Sequence, residues 1–138
     1  MQFRLLGQTD LTVSELGLGC QSLGGGLYYR NDCESVRVLQ RAMDSGITFF
    51  DVSDHHSLGR SEQLLGRACK GCRDRVVITT KAGFHYTGPG TLALRIRDAV
   101  RPMSRVLRSM KRRLHRIRAA TGRYDFSSSY LTHAVERS

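Results

Sequence analysis

Residues 49–62, FFDVSDHHSLGRSE, together with VVITTK at 76–81, decide how this chain is read. A short apolar run ends in an acid, Asp51, and is followed by two histidines, a glycine and the Ser61-Glu62 opening of a helix. A second apolar run ends in a lysine, Lys81. Neighbouring strands that each end in a charged residue set an acid and a base at one rim of a sheet. Parallel α/β proteins place their chemistry at such a rim.

Between the two runs, Leu64, Leu65 and Ala68 mark the apolar face of a helix, with Ser61 as its cap and Gly71 past its end. Before the stretch, Val36, Leu39, Ala42 and Met43 form the apolar face of another helix, capped by Asp32 and closed by Gly46. It runs into a strand over 47–50. Further back, LGLGC at 16–20 is a short strand whose glycines suit tight packing or close approach to a ligand. Residues 3–6 and 11–14 flank the turn Gly7-Gln8-Thr9-Asp10 and read as a hairpin. The order is therefore hairpin, then β-α-β-α-β, which implies a parallel sheet with right-handed crossovers.

After Ala82 the pattern changes. Gly83, Gly88, Pro89 and Gly90 mark a loop. Met103, Val106, Leu107, Met110, Leu114 and Ile117 then recur at helical spacing, opposite an arginine-rich face, and Thr121-Gly122 ends that helix. Ser127 to Ser129 supply a cap for a last helix over 130–137.

With 138 residues, 40% of them hydrophobic and 25% charged, the chain suits one soluble globular domain. Its net charge of +10 is carried by one segment. Eleven Lys/Arg and a single acid, Asp98, lie between Arg95 and Arg123, and the remainder is neutral. No apolar run reaches membrane-spanning length and the N-terminus has no long apolar core, so a cytoplasmic protein is expected. Cys20, Cys33, Cys69 and Cys72 then read as free thiols. The Cys69/Cys72 pair follows a helix and lacks a second pair at zinc-site spacing, so no metal site is expected.

The stretches RLLGQTDLTVSELGLGCQSLGGG, RAMDSGITFFD, GRSEQLLGRA, RDRVVITTKAG and FSSSYLTHAVERS, in this order, resemble the aldo-keto reductase family. The resemblance implies a (β/α)8 TIM barrel floored by the N-terminal hairpin. This chain would supply the hairpin, about three β/α units and a basic helical insertion at 84–126, all in one incomplete domain over residues 1–138. It also implies NADP(H) as cofactor and a small carbonyl compound or sugar as substrate, reduced or, in reverse, oxidised. The family's tyrosine protonates the carbonyl oxygen, a lysine paired with an aspartate acidifies that tyrosine, and a histidine orients the carbonyl. Asp51 and Lys81 match the aspartate and lysine. An ammonium beside a phenol favours phenolate, and a carboxylate fixes the ammonium, whatever the ancestry. Gly19, Cys20 and Gln21 match the loop near the nicotinamide ribose.

One position departs from the family. The tyrosine should stand five residues after the aspartate, where this chain has His56. Imidazole can donate a proton near neutral pH, but it is shorter than a phenol, and a nearby Lys81 disfavours its charged form. The matching histidine and the later strands that hold most of the cofactor are not among these residues, and a complete barrel typically has ~250. The expectation is a truncated reductase with little or no turnover as an isolated chain, prone to self-association through exposed sheet edges. A second expectation is a non-catalytic binding remnant that uses the basic segment between Arg95 and Arg123 on anionic surfaces, membrane or nucleic acid.

Overall fold

The computed structural model describes residues 1–24, 31–57, 59–86 and 122–137. The chain divides into two compact units, Met1–Lys81 and Ala82–Ser138.

The first unit opens with a hairpin. Strands β1 (Phe3–Leu5) and β2 (Thr12–Ser14) pair antiparallel, with Phe3 opposite Ser14. Gly7, at φ +60, takes the turn, and the Thr9 hydroxyl donates to the Leu6 carbonyl at 2.6 Å. Two reciprocal hydrogen bonds of 2.9 Å fasten the hairpin to the residue before the central strand. The Ser14 amide donates to Thr48 Oγ1, and the Thr48 amide donates to Ser14 Oγ.

Strands β3 (Gly17–Gly19), β4 (Phe49–Asp51) and β5 (Val77–Thr79) form a parallel sheet in that order. The crossovers carry helices α1 (Asp32–Asp44) and α2 (Arg60–Ala68), so the β-α-β-α-β reading holds. The register places Gly19, Asp51 and Thr79 side by side as the last row of the sheet.

The core lies between sheet and helices. Phe50 of β4, Leu39 of α1, and Leu64 and Leu65 of α2 are fully buried, with Val52 and Cys20 beside them. Val36, Ala42 and Met43 line the same face of α1, as their spacing predicts. Each such aliphatic side chain stabilises the fold by about 1.5–3 kcal/mol.

Both helix caps differ from expectation. Asn31, not Asp32, caps α1, because its Oδ1 accepts the Glu34 amide at 2.7 Å. Asp32 is the opening helical residue and pairs instead with Arg60, accepting from Nε at 3.1 Å. Ser61 does not cap α2. Gly59, left-handed at φ +80, stands at the cap, and the buried Ser61 hydroxyl donates to the Leu23 carbonyl at 2.8 Å. Gly46 and Gly71, at φ +88 and +87, turn the chain just past the two helices as predicted.

In the second unit, strands β6 (Phe84–Tyr86) and β7 (Gly122–Tyr124) pair antiparallel, and helix α3 (Ser128–Arg137) follows. Residues 84–86 were expected in a loop and Gly122 at a helix end, so this pair corrects both. It is secured by an edge-on contact of the Phe84 and Tyr124 rings at 5.2 Å and by the Asp125 amide donating to the Gly83 carbonyl at 2.9 Å. The Tyr130 amide donates to Ser127 Oγ at 3.4 Å, in keeping with the predicted cap. The arginine-rich helix expected over Met103 to Ile117 lies outside the described residues. Among the described residues, no helix is long and apolar enough to cross a membrane.

Candidate active site

Asp51 ends β4, and Lys81 stands two residues beyond β5. The structure brings them together: Lys81 Nζ donates to Asp51 Oδ1, and to the Val52 carbonyl at 3.2 Å. Both side chains are about half exposed, at 51% and 44%. A pair this wet contributes about 1 kcal/mol or less to stability. Its place at the rim is therefore not explained by what it adds to the fold.

The backbone around the pair is fixed by the sheet and the loop after β4. The Cys20 amide donates to the Asp51 carbonyl and the Val52 amide to the Thr79 carbonyl, both at 2.8 Å. Past Thr79 the ladder ends, and residues 80 and 81 are held from the side. The Lys81 carbonyl accepts the Asp54 amide at 3.3 Å and the Ser53 hydroxyl at 3.2 Å. Thr80 Oγ1 donates to Glu62 Oε1 of α2 at 2.6 Å. Ser53 and Glu62 thus position the lysine, and neither was singled out for this from sequence. The signal available was a serine lying between two site candidates, Asp51 and His56.

The two histidines differ. His56 is about nine-tenths buried, and its Nδ1 is buried with no hydrogen-bond partner. Burial, then His55 and Lys81, hold its pKa below the ordinary histidine value, against the opposing pull of Asp51 and Asp54. The ring stays neutral near pH 7. His55 packs edge-on against it at 4.7 Å, and its Nδ1 lies 2.6 Å from Ser53 Oγ and 3.6 Å from Asp54 Oδ1.

The three residues of the matching loop take different places. Gly19 is exposed beside Asp51, and a Cβ added there would meet nothing within 4 Å. Cys20 points into the core. Its thiol lies 3.5 Å from the Leu18 carbonyl, and burial, with Asp51 nearby, pushes its pKa up to about 12. Only its backbone can face a ligand. Gln21 is exposed in the turn that follows. Cys69 is buried and Cys72 partly so; both are free thiols, with the Cys72 thiol 3.9 Å from Met43 Sδ.

An acid–lysine pair with a histidine one loop away, on the last row of a parallel sheet, is a pattern that sequence comparison can place. The sequence model of the aldo/keto reductase family matches residues 15–137. The chain belongs to the aldo/keto reductase family. It is 37% identical over 86 residues to the oxidoreductase YqkF of Bacillus subtilis, an alignment covering 62% of this chain and 26% of that protein. It is 33% identical over 97 residues to the NADH-specific methylglyoxal reductase of Escherichia coli, covering 67% of this chain and 30% of that one. Among solved structures, an aldo-keto reductase from Pseudomonas aeruginosa superposes with a TM-score of 0.65 at 28% identity, over 98% of this chain and 40% of its own. The chain thus spans less than half the length of each of these proteins.

Proposed function

We propose that this chain is the N-terminal portion of a (β/α)8 barrel that interconverts carbonyl compounds and alcohols with a nicotinamide nucleotide. The observation that carries the reading is the Lys81–Asp51 pair at the last row of a parallel sheet, in a chain of this family. The hairpin, three parallel strands and two crossover helices are the units contributed, and residues 84–126 hold the basic insertion. The residues fit the nicotinamide end of such a cofactor. The rim is open at Gly19, next to Asp51, and the lysine is within reach of solvent. Gly19, the backbone of Cys20, Gln21 and Asp51 would hold that end. When bound, the reduced cofactor supplies the hydride.

Lys81, fixed by Asp51, polarises the group that gives the proton to the carbonyl oxygen. His56 stands at the tyrosine position, and as a buried neutral ring it gives up a proton poorly. Little or no turnover is therefore expected from these 138 residues alone.

Two measurements test the reading. In an amide NMR titration, NADPH or NADH should perturb Gly19, Asp51 and Lys81, and a silent rim with both nucleotides overturns it. In a nucleotide-oxidation assay over a panel of aldehydes and ketones, Lys81-dependent turnover by this chain would overturn the expectation of inactivity.

A second reading rests on the charge distribution. The segment between Arg95 and Arg123 carries the whole net charge, and it binds anionic surfaces in a salt-dependent way. Failure to bind anionic vesicles or DNA at low salt removes it.

A further inference from the structure

We propose that Ser57 and Ser61 are positioning residues for the turn over residues 20–23, and that their hydroxyls, meeting on the Leu23 carbonyl, lock this turn to the loop that carries both histidines. The proposal rests on the carbonyl-reduction reading above, in which the turn receives the nicotinamide end of the cofactor.

The turn follows β3 directly. Its Leu23 amide donates to the Cys20 carbonyl at 3.1 Å, and the Cys20 amide donates to the Asp51 carbonyl at 2.8 Å. Cys20 and Leu23, the two corners, are buried in the core, whereas Gln21 between them is exposed. The apolar corners fix the depth of the turn. They leave its tilt open, because apolar burial is not directional. Direction comes from hydrogen bonds. On the upstream side that bond joins Cys20 to Asp51. On the downstream side it falls on the Leu23 carbonyl.

Two hydroxyls converge there. Ser61 Oγ donates at 2.8 Å and Ser57 Oγ at 3.3 Å. A carbonyl oxygen has two lone pairs and takes both. One donor would satisfy a buried carbonyl; the second ties it to another element. Ser61 lies in the first turn of α2, and Ser57 comes directly after His55 and His56. The Ser57 carbonyl in turn accepts the Arg60 amide at 3.3 Å. Gly24, the next residue after the turn, is packed against the side chains of Arg60 and Leu64.

The backbone of Ser57 separates positioning from plain stability. Its φ is +52, in the left-handed region that glycine enters freely and serine enters at a cost. What serine adds over glycine at this position is the hydroxyl on Leu23. Stability and positioning therefore pull in opposite directions at one residue. A ligand seated against Gln21 meets a turn that cannot tilt without moving the histidine loop.

The test uses the full 15N-labelled chain, with amide exchange at Leu23 and an NADPH titration as its two readouts. In wild type the Leu23 amide should exchange slowly. Ser61→Ala should speed it about tenfold. Ser57→Gly should speed it too, yet hold the melting midpoint within about 4 °C of wild type, because relief of the backbone offsets the lost hydrogen bond. Exchange at Leu39, in the core face of α1, should stay as in wild type in Ser57→Gly. Both variants should raise the Kd for NADPH about three- to tenfold. Unchanged Leu23 exchange in both variants overturns the proposal. So does an NADPH affinity that follows the melting midpoint alone, since the hydroxyls would then only hold the fold. If neither NADPH nor NADH perturbs the wild-type rim while Leu23 exchange responds as expected, the carbonyl-reduction reading fails and the lock between turn and histidine loop stands.

Discussion

The two units of the chain use their apolar residues differently. In Met1–Lys81, side chains from a strand and both helices converge on Phe50, and ten buried residues form a continuous core. In Ala82–Ser138, Ala134 is the buried hydrophobic side chain among the described residues, while Tyr124, Phe126 and Val135 are exposed. The first unit is held by burial. The second is held by one strand pair, ring contacts and a capped helix. A parallel strand needs a crossover helix and so carries its own apolar partner. A three-residue antiparallel pair does not.

The sharpest way to break this comparison is to truncate one aromatic in each unit. Phe50→Ala should cost about 3–5 kcal/mol, and Phe126→Ala about 0.5 kcal/mol or less, both read by urea denaturation. Equal losses would mean that the second unit has a core of its own. Gly24→Ala comes next, at about 1–3 kcal/mol. Gly24 sits at φ +71, and a Cβ there would come within 2.9 Å of Arg60 Cγ and Leu64 Cδ1. Thermal melts check this, and a neutral outcome would show that α2 packs more loosely on the first unit than its buried leucines imply. Asn31→Ala should cost about 1 kcal/mol, and Asn31→Asp far less, because the cap needs only a side-chain oxygen.

The smallest effect is a pH slope. The unfolded chain protonates His56 near ~6.5, whereas the buried ring resists. As pH falls through that value the unfolded state binds more protons, so stability is full above it and is lost down to the lower folded value. Denaturation of wild type and His56→Leu at pH 7.5 and 5.5 should show the fall steeper in wild type. Parallel slopes would contradict the buried neutral ring.

The sequence made the first unit legible because its signals are local. Val36, Leu39, Ala42 and Met43 repeat at helical spacing, and apolar runs ending in Asp51 and Lys81 show the strands and the rim. Its errors were local too. Asn31 and Asp32 are both good caps, and only backbone geometry shows which oxygen meets the Glu34 amide. Ser61 looked like a cap, whereas its hydroxyl serves a carbonyl 38 positions earlier. The β6–β7 pair was missed for a related reason: its partners are far apart in sequence, and neither strand carries an alternating pattern of useful length. In the site, the pairing of Asp51 with Lys81 was anticipated. The inward turn of the Cys20 thiol and the burial of His56 were not, because residue type does not tell which way a loop side chain faces.

The end of the β5 ladder at Thr79 has a consequence for how such a site can change over evolutionary time. The Lys81 backbone lies past the ladder; its grip comes from a neighbouring loop and, through Thr80, a helix side chain, while its ammonium reaches back to the Asp51 carboxylate. Architecture and reactivity are therefore written in separate residues. A lineage can exchange the group beside the lysine, phenol for imidazole, while selection on folding registers little. Inheritance of the scaffold then outlasts inheritance of the reaction, and the two can part by single substitutions at the rim.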